Sequence, residues 1–413
     1  MAKKVLILCD AFAPPLYVTR VINLCKNLNQ EEWEPTIIAE QFPGDDFNTD
    51  ICKLHLMKYY NEKNKLSLMS KRIMHLLLNH KEKCFEKFIY STVDIKSFDL
   101  ILCSVFYLFP LQTAQRISQK HYIPLIIDIR DMTEQWGNQN KFYHPGLHLG
   151  YNLNFIKQII EKRNIKLRNA AIAKADIVTT ISPWHRDFLS KINPNTQLIY
   201  NGYDTTRFYH QAIKTDTFNI NYTGKIYDFN IRNPHLLFQA INELHSEGKI
   251  TPDTVKINWY IEPEITEELT QLTSKYSINE YNNIFQFVPQ EQIPTILNEA
   301  AINLILINKV GDGGPYGIMT TKFFEALGVE KPILCISSDE DCLAQTIRYT
   351  QSGIATRKVN DVKNLIIEQL EIWKTNGHTH IETKNREIFT RQYQAKQFTE
   401  LFNSLINKEN QRN

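Results

Sequence analysis

Short apolar runs along this chain alternate with longer segments whose apolar positions recur every three or four residues. Val5–Cys9, Thr36–Ala39, Leu100–Ser104, Leu125–Asp128, Ile177–Ile181 and Leu198–Tyr200 read as short buried strands. Between them, helical spacing runs through Val18–Leu28, Leu111–Gln119, residues 154–173 and the segment from Trp184. Short apolar strands separated by helices predict a parallel sheet with crossover helices, because both faces of such a sheet are covered. The rhythm stops in a polar, aperiodic stretch at Asn201–Thr215 and then restarts. Strands are predicted at Phe218–Tyr222, Lys256–Tyr260, Ile284–Val288, Ile302–Ile307 and Ile333–Ile336, and helices at Pro234–His245, Thr266–Lys275, Gln292–Asn298 and Thr321–Leu327. The expected fold class is α/β: two Rossmann-like, doubly wound parallel-sheet domains over residues 1–205 and 206–386, facing a central cleft at the carboxyl ends of their strands. Residues 387–413 read as a helix, apolar at Ile388, Phe389, Phe398, Leu401 and Phe402, that packs back on the first domain.

A chain of 413 residues is too long for one hydrophobic core, which agrees with two domains. Its 43% hydrophobic and 22% charged residues are ordinary for a globular protein. The formal net charge of +2 argues against a dedicated nucleic-acid binder. Seven widely spaced cysteines include no CxxC pair, so buried thiols in a reducing, cytoplasmic setting are expected rather than disulfides or zinc. The histidines, among them His75, His80, His144, His148 and His185, have no i, i+4 partner with a carboxylate, and no metal is expected. The apolar run Val5–Cys9, closed by Asp10, is too short for a signal peptide, and no apolar run has the length of a membrane span.

The most informative stretch is Ile302–Ile336. A strand ends near Ile307, a loop follows with Gly311, Gly313, Gly314 and Gly317, and a helix begins at about Ile318–Thr321. Only 14 glycines occur in the whole chain, so four within seven positions mark a place where the backbone approaches something closely. The free N–H groups of the following helix would hold an anion there. Lys322 and Glu325 lie three apart on one helix face, where the lysine can reach a phosphate and the carboxylate can accept sugar hydroxyls. A surface ion pair beside an ordinary turn is the plainer alternative. In the first half, Asp128, Arg130 and Asp131 end a strand; Asp131 could orient an acceptor hydroxyl, or Arg130 and Asp131 could form a simple salt bridge. From Lys53 to Lys96, ten basic residues face four acidic ones, with Leu66, Met69, Ile73 and Met74 interleaved. Such a stretch is either a solvated amphipathic element packed on the domain or a surface for an anionic membrane.

Several of these segments carry a family resemblance. KFFEALGVEKPIL resembles a helix-and-strand signature in which a glutamate, here Glu325, binds the donor ribose. NYTGKIYDFNIRNPHLLFQAI resembles a strand–Gly–Arg/Lys segment whose two basic residues, here Lys225 and Arg232, neutralise a donor diphosphate. ADIVTTISPWHRDFL with LIYNGYDTTRF, and IPLIIDIRDMTEQW, resemble acceptor-domain strands, while FQFVPQEQIPTILNEA resembles the base-binding strand and loop near Val288. Over nearly its whole length the chain is similar to GT-B glycosyltransferases, close to glycosyltransferase family 4. In many members a second glutamate contacts the donor sugar where this chain has Gly317, and Ala13-Pro14-Pro15 stands where the family usually carries a glycine pair.

The resemblance implies a metal-independent hexosyl transfer with retention of configuration and no cofactor. The donor would be a UDP- or GDP-linked sugar, bound by Gly224, Lys225, Arg232, Val288, Gly314, Gly317, Ile318, Met319, Thr320, Thr321, Lys322 and Glu325. The acceptor, a saccharide or a lipid-linked group, would meet Pro15, Arg20, Arg130 and Asp131, and catalysis would fall to Asp131, Lys225 and Glu325. The implied setting is bacterial surface-polysaccharide or glycoconjugate synthesis in the cytoplasm, at the inner membrane face. Two rivals remain open: a sugar-nucleotide epimerase of the same fold, and a catalytically degenerate partner that binds a nucleotide sugar.

Overall fold

In the computed structural model, residues 2–10, 19–41, 49–60, 65–136, 154–226, 228–230, 232–308, 314–339 and 341–410 are described. The chain divides into two compact units. The first comprises residues 1–135, 140–200 and 391–413, and the second residues 136–139 and 201–390.

The first unit is built on seven parallel strands: β1 (Lys3–Cys9), β2 (Trp33–Glu40), β3 (Lys53–Met57), β4 (Leu100–Val105), β5 (Leu125–Ile129), β6 (Ile177–Thr180) and β7 (Thr196–Leu198). Their order across the sheet is β3-β2-β1-β4-β5-β6-β7. In β1 every residue from Val5 to Cys9 is fully buried, because successive side chains enter two different cores. Leu6 and Leu8 pack with Phe85, Phe109 and Leu111 on one face. Val5, Ile7 and Cys9 pack on the other with Leu24 and with Phe398 and Phe402 of the terminal helix Arg391–Asn410. The edge of the Trp33 ring meets Phe402 at 5.1 Å. The last helix of the chain therefore completes the first unit's core.

The basic stretch from Lys53 is not one amphipathic element. It opens with β3, in register with β2 at Thr36 and Lys53, and continues as helices Lys65–Leu78 and His80–Thr92. Sequence pattern passed over β3 because KLHLM is an edge strand, whose polar alternation blunts further pairing.

The second unit holds six parallel strands: β8 (Phe218–Thr223), β9 (Val255–Tyr260), β10 (Asn282–Phe285), β11 (Ile302–Leu306), β12 (Ile333–Ile336) and β13 (Gly353–Thr356). They are ordered β10-β9-β8-β11-β12-β13. Phe218, Ile220 and Tyr222 of β8 share a core with Trp259, Phe238 and Leu306. The strand expected at Ile284–Val288 ends three residues earlier, at Phe285, and Trp259 Nε1 donates to Asn282 Oδ1 at 2.8 Å to hold its start. In both sheets chain order reverses between two central strands, β1 and β4 in one, β8 and β11 in the other. Loops leaving the carboxyl ends of such a pair diverge and open a crevice for a ligand.

Candidate functional site

In the second unit the loops after β8 and β11 flank that switch point. Gly224 follows β8 directly with φ +112°, a conformation that disfavours any side chain. Its N–H donates to the Tyr260 carbonyl at 2.9 Å. The Tyr222 hydroxyl donates to the Lys225 carbonyl at 3.0 Å, and the Ile226 N–H is shared by both carboxylate oxygens of Glu262, each at 3.0 Å. The turn is thus tied to β9 before any ligand arrives. A Cβ on Gly224 would lie 2.8 Å from Cε of Lys322 and would run into its Nζ. The backbone conformation favours glycine here, and the space its missing Cβ leaves is taken by the end of the Lys322 side chain.

Lys322 stands in the first turn of helix Thr321–Gly328, a helix anchored by the buried rings of Phe323 and Phe324. Its Nζ donates to the Tyr222 hydroxyl at 3.3 Å and lies 4.5 Å from that ring's centre. Burial, reinforced by the Arg232 guanidinium, pulls its pKa down to about 7, against the pull of Glu325 and Glu262. Arg232 donates from Nη1 to the Leu306 carbonyl at 2.6 Å, which ties the β8 loop to the end of β11. Its Nε is buried with no hydrogen-bond partner among the described residues. A buried donor left unmade costs free energy, so an arriving acceptor atom would be held strongly.

Thr320 takes the extended N-cap conformation but makes no side-chain cap bond, and no acidic residue occupies the first turn. The helix's first N–H groups and the positive end of its dipole are left for an anion. Upstream, Gly317 has φ +65°, so a glutamate there would be strained, and glycine is the residue the turn favours. Met319 is buried, its sulfur 3.9 Å from Thr346 Oγ1, just before the helix. Ile318 and Glu325 are half-buried, Thr321 is exposed and Gly314 buried. Gly311 and Gly313 lie outside the described residues. Gly224, Lys225, Arg232 and Lys322 are thus brought to one switch point, with Glu325 one turn further along the helix. Val288 is half-buried in the loop after β10, two strands from β8. Tyr222 and Glu262 were missed. Both terminate apolar strand patterns, which is the one sequence signal that could have flagged them.

In the first unit the strand ends gather a different set. Asp10, after β1, accepts from the Phe106 N–H at 2.9 Å and from Arg130 Nη2 at 2.6 Å. The Arg130 guanidinium lies 3.9 Å from the centre of the Phe106 ring, and its Nε is buried without a hydrogen-bond partner among the described residues. The ion pair of Arg130 is therefore with Asp10 rather than Asp131. Asp131 is pushed up to about 6 by burial, with Arg130 and Gln135 opposing the rise. Gln135 Oε1 meets His185 Nε2 at 3.0 Å, and His185 Nδ1 meets Ser182 Oγ at 2.8 Å. Burial lowers the His185 pKa to about 4, so the ring is neutral at pH 7. An amide oxygen only accepts, so Nε2 carries the ring proton and Nδ1 accepts from the serine hydroxyl.

Arg20 was expected to reach a ligand. Instead it is buried, with Nε and Nη2 on the two oxygens of Asp128 at 2.9 Å each, and Nη2 and Nη1 on the carbonyls of Ile199 and Tyr200 at 3.0 and 3.2 Å. That guanidinium is a clamp inside the first unit. Sequence could not separate the two roles, since Arg20 opens a helix beside a strand-end loop in either case. Pro15 lies outside the described residues.

No protein-family model and no curated protein matches the chain. Solved structures match throughout. Sucrose-phosphate synthase from Thermosynechococcus elongatus is similar at 14% identity and a TM-score of 0.65, over 98% of this chain and 100% of that one. Anabaena HepE in complex with UDP and glucose is similar at 13% identity and a TM-score of 0.59, over 97% and 100%. An assigned UDP-N-acetylglucosamine 2-epimerase from Listeria monocytogenes is similar at 12% identity and a TM-score of 0.57, over 99% and 98%. These likenesses show the fold, the α/β arrangement of two Rossmann-like units found in GT-B glycosyltransferases.

Proposed function

We propose that this chain is a nucleotide-sugar-dependent glycosyltransferase whose second unit binds the donor and whose first unit binds the acceptor. The observation that carries this reading is the pairing of Gly224 with Lys322. A glycine leaves room for a half-buried lysine at the switch point, beside Arg232 and a helix start that no side chain caps among the described residues. Three sources of positive potential converging on one small volume suit a diphosphate, whose β-phosphate gains charge as the glycosidic bond breaks. Glu325 takes the ribose hydroxyls. Transfer proceeds with retention and without a metal ion, the cations and the helix dipole supplying the electrostatic help; the sugar is a hexose and the setting surface-polysaccharide or glycoconjugate assembly. HepE, of the same fold, was crystallised with UDP and glucose, which supports a uridine donor.

A mass-resolved screen of UDP- and GDP-sugars tests this. Transfer or slow donor hydrolysis is expected; interconversion of the free sugar nucleotide would instead make it an epimerase, and binding without turnover a degenerate partner. Glu325→Ala and Lys225→Ala should each lower turnover about tenfold, as expected for losing one charge-assisted hydrogen bond that is partly screened by water. If both keep wild-type turnover, the donor seat is misplaced.

Asp131 adds a pH dependence. Its carboxylate can draw the proton of an acceptor hydroxyl only when ionised, and its pKa is raised to about 6. At saturating donor, where the protonation of Lys322 no longer limits binding, the transfer rate should therefore be flat above pH 7 and fall about tenfold per unit below pH 6. Asp131→Asn should be slow and lose that limb; an unchanged acid limb in the variant assigns the titration to another group.

A further inference from the structure

Helix Lys65–Leu78 of the first unit leaves a stripe of large apolar side chains in water. Leu66 is 76% exposed, Met69 60% and Ile73 45%. At i, i+3 and i+7 they share one face. The opposite side is turned inward: Lys71 Nζ donates to the Tyr59 carbonyl at 2.8 Å, and His75 stacks edge-on against the Tyr59 ring at 6.4 Å. Helix Asn154–Ile172 is locked beside it, since Arg163 donates to the Leu76 carbonyl at 2.6 Å and to Asn79 Oδ1 at 3.0 Å. That neighbour adds Ile159, 50% exposed, and the exposed cations Lys162 and Lys166.

Charge is concentrated in the same place. Helices Lys65–Leu78, His80–Thr92 and Asn154–Ile172 together hold eleven basic and three acidic residues, whereas the whole chain nets only +2. Helix Lys65–Leu78 itself has no acidic residue, and Arg72 stands exposed beside the apolar stripe. An apolar stripe flanked by cations matches the boundary between acyl chains and anionic headgroups. A second copy of the chain fits poorly, because a two-fold contact would press this positive face against itself.

We propose that the first unit docks on an anionic lipid surface through helix Lys65–Leu78, with Leu66, Met69 and Ile73 entering the interface and Arg72, Lys162 and Lys166 meeting headgroups. No described helix is long and apolar enough to cross a membrane, so the contact is peripheral. Docking of this kind stands whether or not the second unit holds a sugar nucleotide.

Co-sedimentation of the full chain with phosphatidylcholine vesicles, with or without about one-third phosphatidylglycerol, tests the proposal. The wild type should pellet with the anionic vesicles, weaken with added salt, and stay in solution with neutral ones. The variant Leu66→Ser/Met69→Ser/Ile73→Ser should bind at least about tenfold more weakly, and Arg72→Glu should bind more weakly too, both keeping the wild-type circular dichroism and melting curve. Absence of pelleting, equal pelleting with neutral vesicles, or unchanged binding by the triple variant overturns it. So does a dimer that the triple variant disperses without any lipid binding, which would make this face a contact between copies.

Discussion

Asp128→Ala should destabilise the first unit by about 3–5 kcal/mol, the cost of leaving a buried charge without its partner. Four donors converge on this carboxylate: Arg20 through two nitrogens, Ser104 Oγ at 2.8 Å and Thr179 Oγ1 at 2.8 Å. Removing it strands the Arg20 guanidinium, which is 3% exposed and keeps the neutral carbonyls of Ile199 and Tyr200 in place of a counter-charge. Arg20→Met together with Asp128→Leu removes both charges, and much of the loss should be recovered. The same group sets an acid limit. Burial alone would raise its pKa, but Arg20, Thr179 and Ser104 hold it below the ordinary 3.8. A carboxyl depressed in the folded state stabilises above its unfolded pKa, and that contribution is lost as pH falls through the folded value. Wild-type stability should therefore drop below about pH 4, and the double variant should drop less steeply there. Urea denaturation of the three proteins from pH 3 to 7 checks both statements; a single variant with the wild-type midpoint would remove Asp128 from the stability account.

Lys322→Met should weaken sugar-nucleotide binding roughly ten- to hundredfold near pH 6, the worth of a hydrogen bond from a charged group at about 1.5–3 kcal/mol. The pH dependence is the sharper signature. With its pKa near 7, Lys322 is half-protonated in the free protein at neutral pH. The diphosphate diester of a sugar nucleotide stays ionised across this range, so binding draws a proton onto the lysine. Affinity should be constant below pH 7 and fall by up to about tenfold per unit above it. Lys322→Met should show a flat profile, and Lys322→Arg, too large for the pocket beside Gly224, should not restore binding. Calorimetry in two buffers of different ionisation enthalpy reads the proton uptake directly. A wild type that binds without uptake at pH 8 would place the phosphate elsewhere.

Much of the fold could be read before the structure. The alternation of apolar runs such as Val5–Cys9 and Ile302–Ile307 with helical spacing led to two parallel sheets, because a strand covered on both faces has no polar alternation to hide it. The elements that escaped lack that signature. β3 is an edge strand with a polar side, and β13, GIAT, is four residues beginning with glycine. The strand placed at Ile284–Val288 slid because periodicity marks an apolar run without marking its ends. In the candidate site, Lys322 and Glu325 were picked out by their spacing beside a glycine-rich loop, and Lys225 and Arg232 by the family resemblance of their segment. Arg20 was read as facing a ligand, although it is fully engaged inside the first unit.

Local pattern by itself determined the class of fold, the place where the sheet rhythm restarts, and the glycine-rich loop running into a helix, since these depend on spacing within about ten or twenty residues. Only the tertiary structure decided which charges are buried and what they meet. Gly224 and Lys322 are nearly a hundred positions apart, and Asp10 and Arg130 are more than a hundred. Desolvation and partner geometry, which made Arg20 a clamp, lowered Lys322 and raised Asp131, arise only when distant strand ends are brought together.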